Sequence, residues 1–373
     1  MPKSSMNTLY YYCYVSVLVL LGFSENSLSD ESHRICLSPS RNSNLSIKRH
    51  VIQRTEFEMP RFFLLVCLTL MTASTVAMAE PSLEAKEMAK TVPIADMHMH
   101  AYRRDGPRAT EVLEQMDKNG VRWGGAVGDF REDVAKLLGS RYIPALGQAE
   151  FARVFFSKGE QALMDESDPI FQRLFAEAER RFADGTAMGF GELHTDNHTS
   201  GPMRMRRYIP TDNPVVRRFF TIANKYNGFV QIHTQLDARF NQDILRLTAD
   251  FPNTKVILSH CLAGAQPADL RQLFEVRSNI YCELSAQGVI HNRLSGLSRP
   301  ARVFSEERVR PDWLELIQQH PSRLMVGSDA CCGWFSSYSE MIDEIRTNLF
   351  PHLEPELIER LAYKNAVDLF DLK

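Results

Sequence analysis

Cysteine, tryptophan and an excess charge of either sign are all scarce in this chain of 373 residues. It has 7 Cys and 3 Trp, and 43 Lys/Arg stand against 46 Asp/Glu for a formal charge of −3. A chain so near neutrality presents no overall field that would collect DNA, RNA or anionic lipid, so no nucleic-acid partner is expected. Glycine and proline, at 19 and 18, are too few for a collagenous or low-complexity protein. Long hydrophobic runs are lacking too. The two apolar stretches, Leu9 to Phe23 and Phe62 to Ala79, are interrupted by Ser, Thr or Cys and fall short of the roughly 20 clean residues a spanning helix needs.

The second stretch has the parts of a secretory signal. Counted from Met59, Arg61 supplies the charged start, Phe62 to Met71 the apolar run, and Ala77-Met78-Ala79 the small-residue cleavage site. The expected division is therefore 1–58 as a non-native upstream extension, 59–79 as a signal peptide and 80–373 as one catalytic domain. That domain is periplasmic or secreted, with no membrane insertion once the signal is removed. It carries a formal charge of −5 and four cysteines, Cys261, Cys282, Cys331 and Cys332. Four are too few for a disulfide scaffold, and a core of this size needs none. Buried free thiols are the default expectation; the alternative brings Cys261 together with Cys331-Cys332, as soft ligands or in one disulfide.

From Val92 onward, short β-rich runs alternate with helical patterns. The runs are Val92–His98, Arg122–Gly128, Tyr142–Gln148, Ala187–His194, Gly228–Thr234, Lys255–His260, Asn279–Ser285 and Arg323–Asp329. Most are apolar without strict alternation, as parallel strands covered on both faces should be. Amphipathic segments lie between them, such as Ala109–Lys118, Pro214–Tyr226, Gln242–Asp250, Ala268–Val276 and Asp312–Gln319. Eight such pairs predict an α/β fold, a single-domain (β/α)8 TIM barrel. A doubly wound nucleotide-binding sheet would carry a Gly-rich loop after its first strand. Here that strand ends in Asp96-Met97-His98-Met99-His100.

Five runs end in a potential metal ligand: His98 and His100, Glu192, His233, His260 and Asp329. His98 and His100, two apart, should share a face, with Met97 and Met99 turned toward the helices. In a barrel all these strand ends converge on one mouth, and an imidazole–carboxylate set suits zinc or a similar divalent ion, one or two per chain. A purely structural barrel has no reason to concentrate costly polar groups there.

The order D-x-H-x-H, G-x-G-E, I-H, S-H and G-S-D resembles the metal-dependent amidohydrolase superfamily. The segments Asn279-Ile280-Tyr281…Leu284-Ser285 and Lys364-Asn365-Ala366…Leu369-Phe370 resemble its "amidohydrolase 2" branch, which includes aminocarboxymuconate-semialdehyde decarboxylase. The resemblance implies that His98, His100, His233 and Asp329 form the core metal site. It implies that His260 is a second-metal ligand or a catalytic imidazole. Glu192 stands where many two-metal members carry a carboxylated lysine.

The chemistry expected from these residues is hydrolysis of an amide, ester or lactone bond by metal-activated water. Asp329 is then the general base and His260 a stabiliser of developing negative charge. The substrate is a small molecule. Arginines of the mouth loops (Arg103, Arg104 and Arg108; Arg204, Arg206 and Arg207; Arg293, Arg299, Arg302, Arg308 and Arg310) either pair with loop acids or bind an anionic substrate. Arg103 and Arg204 are taken as substrate contacts, and His194 as a support for Glu192, a substrate contact or a further rim ligand. His198 and His291 have no partner legible in the sequence, and Trp334 could roof the pocket. A non-oxidative decarboxylase, a metal-free lactonase, a phosphoester nuclease and a non-catalytic exported binding protein are the alternatives. A homo-oligomer is left open.

Overall fold

The structure, a computed structural model, describes residues 80–100, 106–198, 203–262, 264–296, 301–331 and 333–373. The expected signal peptide and the segment before it lie outside the described residues, as do Arg103, Arg104, Arg299 and Cys332. Among the described residues no helix is long and apolar enough to cross a membrane.

Each of the eight expected runs contains a strand. In chain order they are β1 (Ile94–Asp96), β2 (Val121–Gly125), β3 (Tyr142–Ile143), β4 (Ala145–Gly147), β5 (Gly189–His194), β6 (Phe229–His233), β7 (Lys255–Leu258), β8 (Ile280–Glu283) and β9 (Leu324–Met325). The third run is divided because Pro144, between β3 and β4, has no N–H to give a ladder. Neighbours in sequence are neighbours in space, and every pairing is parallel, β1-β2-β3 and then β4 through β9. Backbone bonds join the last strand to the first: Met97 N donates to Val326 O at 3.0 Å and Asp329 N to His98 O at 2.8 Å. The sheet thus closes as a barrel.

The helices outside it form where the sequence supplies a cap and an apolar stripe. In Pro214–Lys225 the side chain of Asn213 accepts from Val216 N, Pro214 occupies the first turn, and Val215, Val216, Phe219, Phe220, Ile222 and Ala223 turn inward. Asp237 caps Ala238–Asp250 and Asp168 caps Pro169–Ala183 in the same way. Burying one such side chain as fully as Phe219 stabilises the fold by about 1.5–3 kcal/mol. At the turn into β2, Gly120 takes a φ of 64°, and Asn227 takes 55° at the turn into β6; both residue types tolerate the left-handed region.

A smaller cluster fills the barrel itself, including Ala95, Ile143, Phe229, Ile257 and Met325. Met97 belongs to it, contrary to the expectation that it faces the helices, whereas Met99 does pack in the outer core. The regular strand ends at Asp96, so strict alternation no longer holds for the residues that follow.

Candidate metal centre

The chain beyond β1 delivers two imidazoles to one point. The buried carboxylate of Asp96 accepts from His98 N at 3.0 Å and from Ser328 N at 2.9 Å, tying the end of the first strand to the last. His98 Nε2 and His100 Nε2 then approach to 2.9 Å. Asp329, at a φ of 54°, brings Oδ1 to 3.6 Å from each, and Glu192 at the end of β5 brings Oε2 to 3.6 Å from each. The other oxygen of Glu192 lies 2.8 Å from His233 Nδ1 and 3.5 Å from His260 Nε2. His194 Nε2 is 2.9 Å from Glu192 Oε2, and its ring stacks on that of His233 with centroids 4.3 Å apart. All six expected ligands are therefore brought together, with His194 beside them.

Two further groups hold this cluster from behind. Glu283, at the end of β8, puts Oε1 2.8 Å from His98 Nδ1, accepts from His260 N at 2.7 Å through the same oxygen, and from Ser285 N at 2.7 Å through the other. Ser285 Oγ in turn lies 2.8 Å from His260 Nδ1. Gly327 makes room for the pair: a Cβ there would come within 2.7 Å of His98 Cβ and 2.9 Å of Glu283 Oε2. Neither Glu283 nor Ser285 was singled out from sequence. The signal was present, since the seventh run ends at this position and Ser285 closes a segment that carries the branch resemblance, but neither residue has a role legible there.

The geometry tests whether a divalent ion suits these residues. An ion bound at about 2.0–2.1 Å by tetrahedral ligands holds its ligand atoms roughly 3.4 Å apart; His98 Nε2, His100 Nε2 and Asp329 Oδ1 stand 2.9–3.6 Å from one another. His98 Nδ1 faces the Glu283 carboxylate, which turns Nε2 toward the cluster, the arrangement that orients a metal-binding imidazole. His233 Nε2 is buried with no hydrogen-bond partner among the described residues, so that acceptor is available. Ligand atoms group as His98–His100–Asp329, as His98–Glu192–His260 and as Glu192–His194–His233. The residues fit one ion at the first set and allow a second, with Glu192 between them.

Electrostatics separate the imidazoles: burial would lower His98, but Glu283 and Glu192 outweigh it and raise the ring well above its ordinary value. Burial pushes the His100 imidazole down to about 3, with the neighbouring His98 adding to the effect. Burial likewise takes His233 down to about 4, against the pull of Glu192. Both rings are neutral, the form a metal requires. Burial would raise the carboxyl of Glu192, but His233, His98 and His194 outweigh it and hold the group well below its ordinary range. Asp329 is also lowered, the imidazoles of His260, His98, His291 and His100 overcoming its burial.

Other expectations are revised here. His291 is not partnerless: its Nδ1 stands 3.4 Å from Asp329 Oδ2, and its ring meets Trp334 edge-on. His198 Nδ1 pairs with Asp196 at 2.5 Å. Cys261 and Cys282 are joined in a disulfide rather than being free thiols or partners of Cys331 and Cys332. β7 and β8 are adjacent, with Leu258 opposite Cys282, and three consecutive positive-φ residues, His260 to Leu262, turn the chain back over that neighbour. Among the mouth arginines, Arg293 pairs with Glu340 and Arg310 with Asp312. Arg302 donates to the carbonyls of His260, Cys261 and Ala265. Arg204 is exposed on the short turn Met203–Met205, whereas Arg207 is buried.

Barrel and site together define a (β/α)8 enzyme framework with a candidate divalent-metal centre at the C-terminal strand ends. The Amidohydrolase family model matches residues 161–372, more than half of the chain, and the chain belongs to that family. Among solved structures it is similar to a 2,6-dihydroxybenzoate decarboxylase from Rhizobium (12% identity, 76% of this chain and 99% of that one, TM-score 0.42). It is similar also to a probable 2-pyrone-4,6-dicarboxylic acid hydrolase from Acinetobacter baumannii with citric acid bound (12%, 74% and 99%, TM-score 0.46). A third is an amidohydrolase from Burkholderia multivorans with bound zinc (16%, 71% and 88%, TM-score 0.41). At these distances the likenesses decide nothing about the reaction. A search of curated proteins gave no match.

Proposed function

We propose that this chain is an exported metal-dependent hydrolase that opens an amide, ester or lactone bond of a small anionic substrate. The observation that carries the reading is the approach of His98 Nε2 and His100 Nε2 to 2.9 Å, with Asp329 Oδ1 and Glu192 Oε2 each 3.6 Å from both, across strands far apart in sequence. A divalent ion, zinc being well suited to such ligands, supplies Lewis acidity and an acidified water when bound. His98, His100 and Asp329 would hold it, with Glu192, His233 and His260 available to a second.

The remaining steps belong to the chain. Asp329 points Oδ1 at the two imidazoles and Oδ2 toward His291. Its lowered pKa keeps it ionised, so Oδ2 can take a proton from the nucleophile and return it to the leaving group. Burial depresses the His260 imidazole, but Glu192 and Asp329 outweigh it and raise its pKa. His260, braced by Ser285 through Nδ1, is thereby favoured as an N–H donor to developing oxyanion charge. The Cys261–Cys282 disulfide supports export, because such bonds persist in oxidising compartments.

The test is metal content by elemental mass spectrometry on the chain from Glu80, with turnover of lactones, amides and esters before and after chelation. One or two ions per chain, with activity lost on chelation and restored by metal, is the expected result. A metal-free protein would overturn the reading. Release of carbon dioxide from a carboxylate substrate, without hydrolysis of any ester or amide, would replace it with the decarboxylase.

A further inference from the structure

The loop leaving β5 folds back on itself, Asn197 and Arg207 exchanging backbone hydrogen bonds of 3.0 and 3.3 Å. This carries the Arg207 side chain inward, and the residue is 3% exposed. Its guanidinium lies over the ring of Phe155, 3.9 Å from the centroid, and its Nε donates to Met205 O at 3.3 Å. The buried NH1 has no hydrogen-bond partner among the described residues. No carboxylate among them pairs with Arg207, although Arg217, Arg239, Arg246, Arg293 and Arg310 all hold one.

A buried cation without a counter-ion is destabilising, and an apolar side chain of similar size would fill the same space without that penalty. Burial pulls the guanidinium pKa down to about 10 against the opposing fields of Glu192 and Glu160, so the group is still charged at neutral pH. Neither acid forms an ion pair with it. Glu192 is engaged by His194 and His233, and Glu160 accepts from Tyr208 N. The charge therefore awaits a partner from outside the chain.

Location ties that partner to the metal centre. The helix Gln148–Lys158 begins at Gln148, whose Nε2 is 3.4 Å from His100 Nδ1. Phe155, under Arg207, follows seven residues later, about 10 Å along the helix axis. With Nε committed to Met205, the terminal edge of the guanidinium is left, and that edge matches the two oxygens of a carboxylate. We infer that Arg207 binds a substrate carboxylate remote from the reacting bond, so that the substrate class is an amide, ester or lactone bearing a free carboxylate. This rests on the hydrolase reading above and names the residue that selects its substrate. Arg207 is a positioning residue and takes no part in bond breaking.

The experiment compares wild type, Arg207→Met and Arg207→Lys, as metal-loaded full domain, by calorimetric titration and thermal shift. The probes are acetate, benzoate, succinate and isophthalate, with benzamide and isophthalamide as neutral counterparts and inorganic phosphate as a further arm. At least one carboxylate should bind wild type saturably, lose tenfold or more in affinity in Arg207→Met and recover part of it in Arg207→Lys, while the amides are indifferent to the variant. Ligand-free Arg207→Met should melt no lower than wild type, because it sheds an unpaired buried charge; a merely structural arginine would show the reverse. Equal carboxylate affinity in wild type and Arg207→Met, no carboxylate binding to wild type, a preference for phosphate, or a misfolded Arg207→Met would each overturn the inference. Metal counted on the same samples separates the two claims. A metal-replete protein whose carboxylate binding ignores Arg207 loses only the subsite, whereas a metal-free wild type loses the hydrolase reading.

Discussion

His98 Nδ1 lies 2.8 Å from Glu283 Oε1 with both side chains wholly buried, and the same oxygen accepts from the backbone of His260. One carboxylate from β8 thus orients an imidazole just beyond β1 and another beyond β7. Partners of this kind orient a metal-binding imidazole and typically change affinity 10- to 100-fold when altered.

Glu283→Gln should therefore still fold, because the amide oxygen can accept from His98 and His260 N, although its NH2 then faces Ser285 N without a bond, and should lose metal affinity by about 10- to 100-fold. Competition with a chelator of known affinity reads this directly. Affinity equal to wild type would show that the carboxylate charge is irrelevant to the ligand it faces.

Asp329→Asn should leave melting within a few degrees of wild type and lower turnover by about 100-fold or more, the range a positioned general base supplies. Turnover is measured at matched metal occupancy, since Oδ1 is also a ligand candidate. Near-normal rates at full occupancy would remove Asp329 from proton transfer.

The two preceding residues show what was legible beforehand and what was not. Asp329 stands in a Gly-Ser-Asp strand end and was expected at the site, as were His98, His100, Glu192, His233 and His260, because costly polar groups ending apolar strands leave a periodic trace. The barrel was legible for the same reason. Glu283 ends an apolar strand as they do, but its role depends on which atoms stand opposite it across the barrel, and the strand end alone does not state that. Arg207 and Arg204 are indistinguishable in sequence, and only the Asn197–Arg207 bridge decides which is buried. The pairing of Cys261 with Cys282 depends on the register of β7 with β8, which residue order does not state.

Acid should expose a structural ion pair far from the chemistry. Burial tends to raise the carboxyl of Asp212, but hydrogen bonds from Arg217 and Arg246 outweigh it and lower the pKa below its ordinary 3.8. The folded state then binds its proton less readily than the unfolded state. The pair's stabilisation is present above about pH 4 and fades as pH falls through the folded value. Asp212→Asn should cost about 1 kcal/mol near neutrality, discounted for the half-exposed arginines, and nothing once wild type is also protonated. Denaturant titrations at several pH values should show the two curves converging in acid; a constant gap would deny the linkage.

The Cys261–Cys282 bond closes a loop of sequence separation 21, and chain entropy assigns such a closure about 3 kcal/mol. The double variant Cys261→Ala/Cys282→Ala should lose about that much in denaturant unfolding. Reductant should bring wild type to the same midpoint and leave the variant unmoved. The bond also ties the residue after His260 to the residue before Glu283, two groups already joined by a 2.7 Å hydrogen bond. Its loss should therefore weaken metal binding as well as stability, by the chelator competition used for Glu283→Gln. A variant that loses stability but binds metal as wild type does would confine the disulfide to closing the chain, and would leave Glu283 and Arg302 as the groups that hold His260 in place.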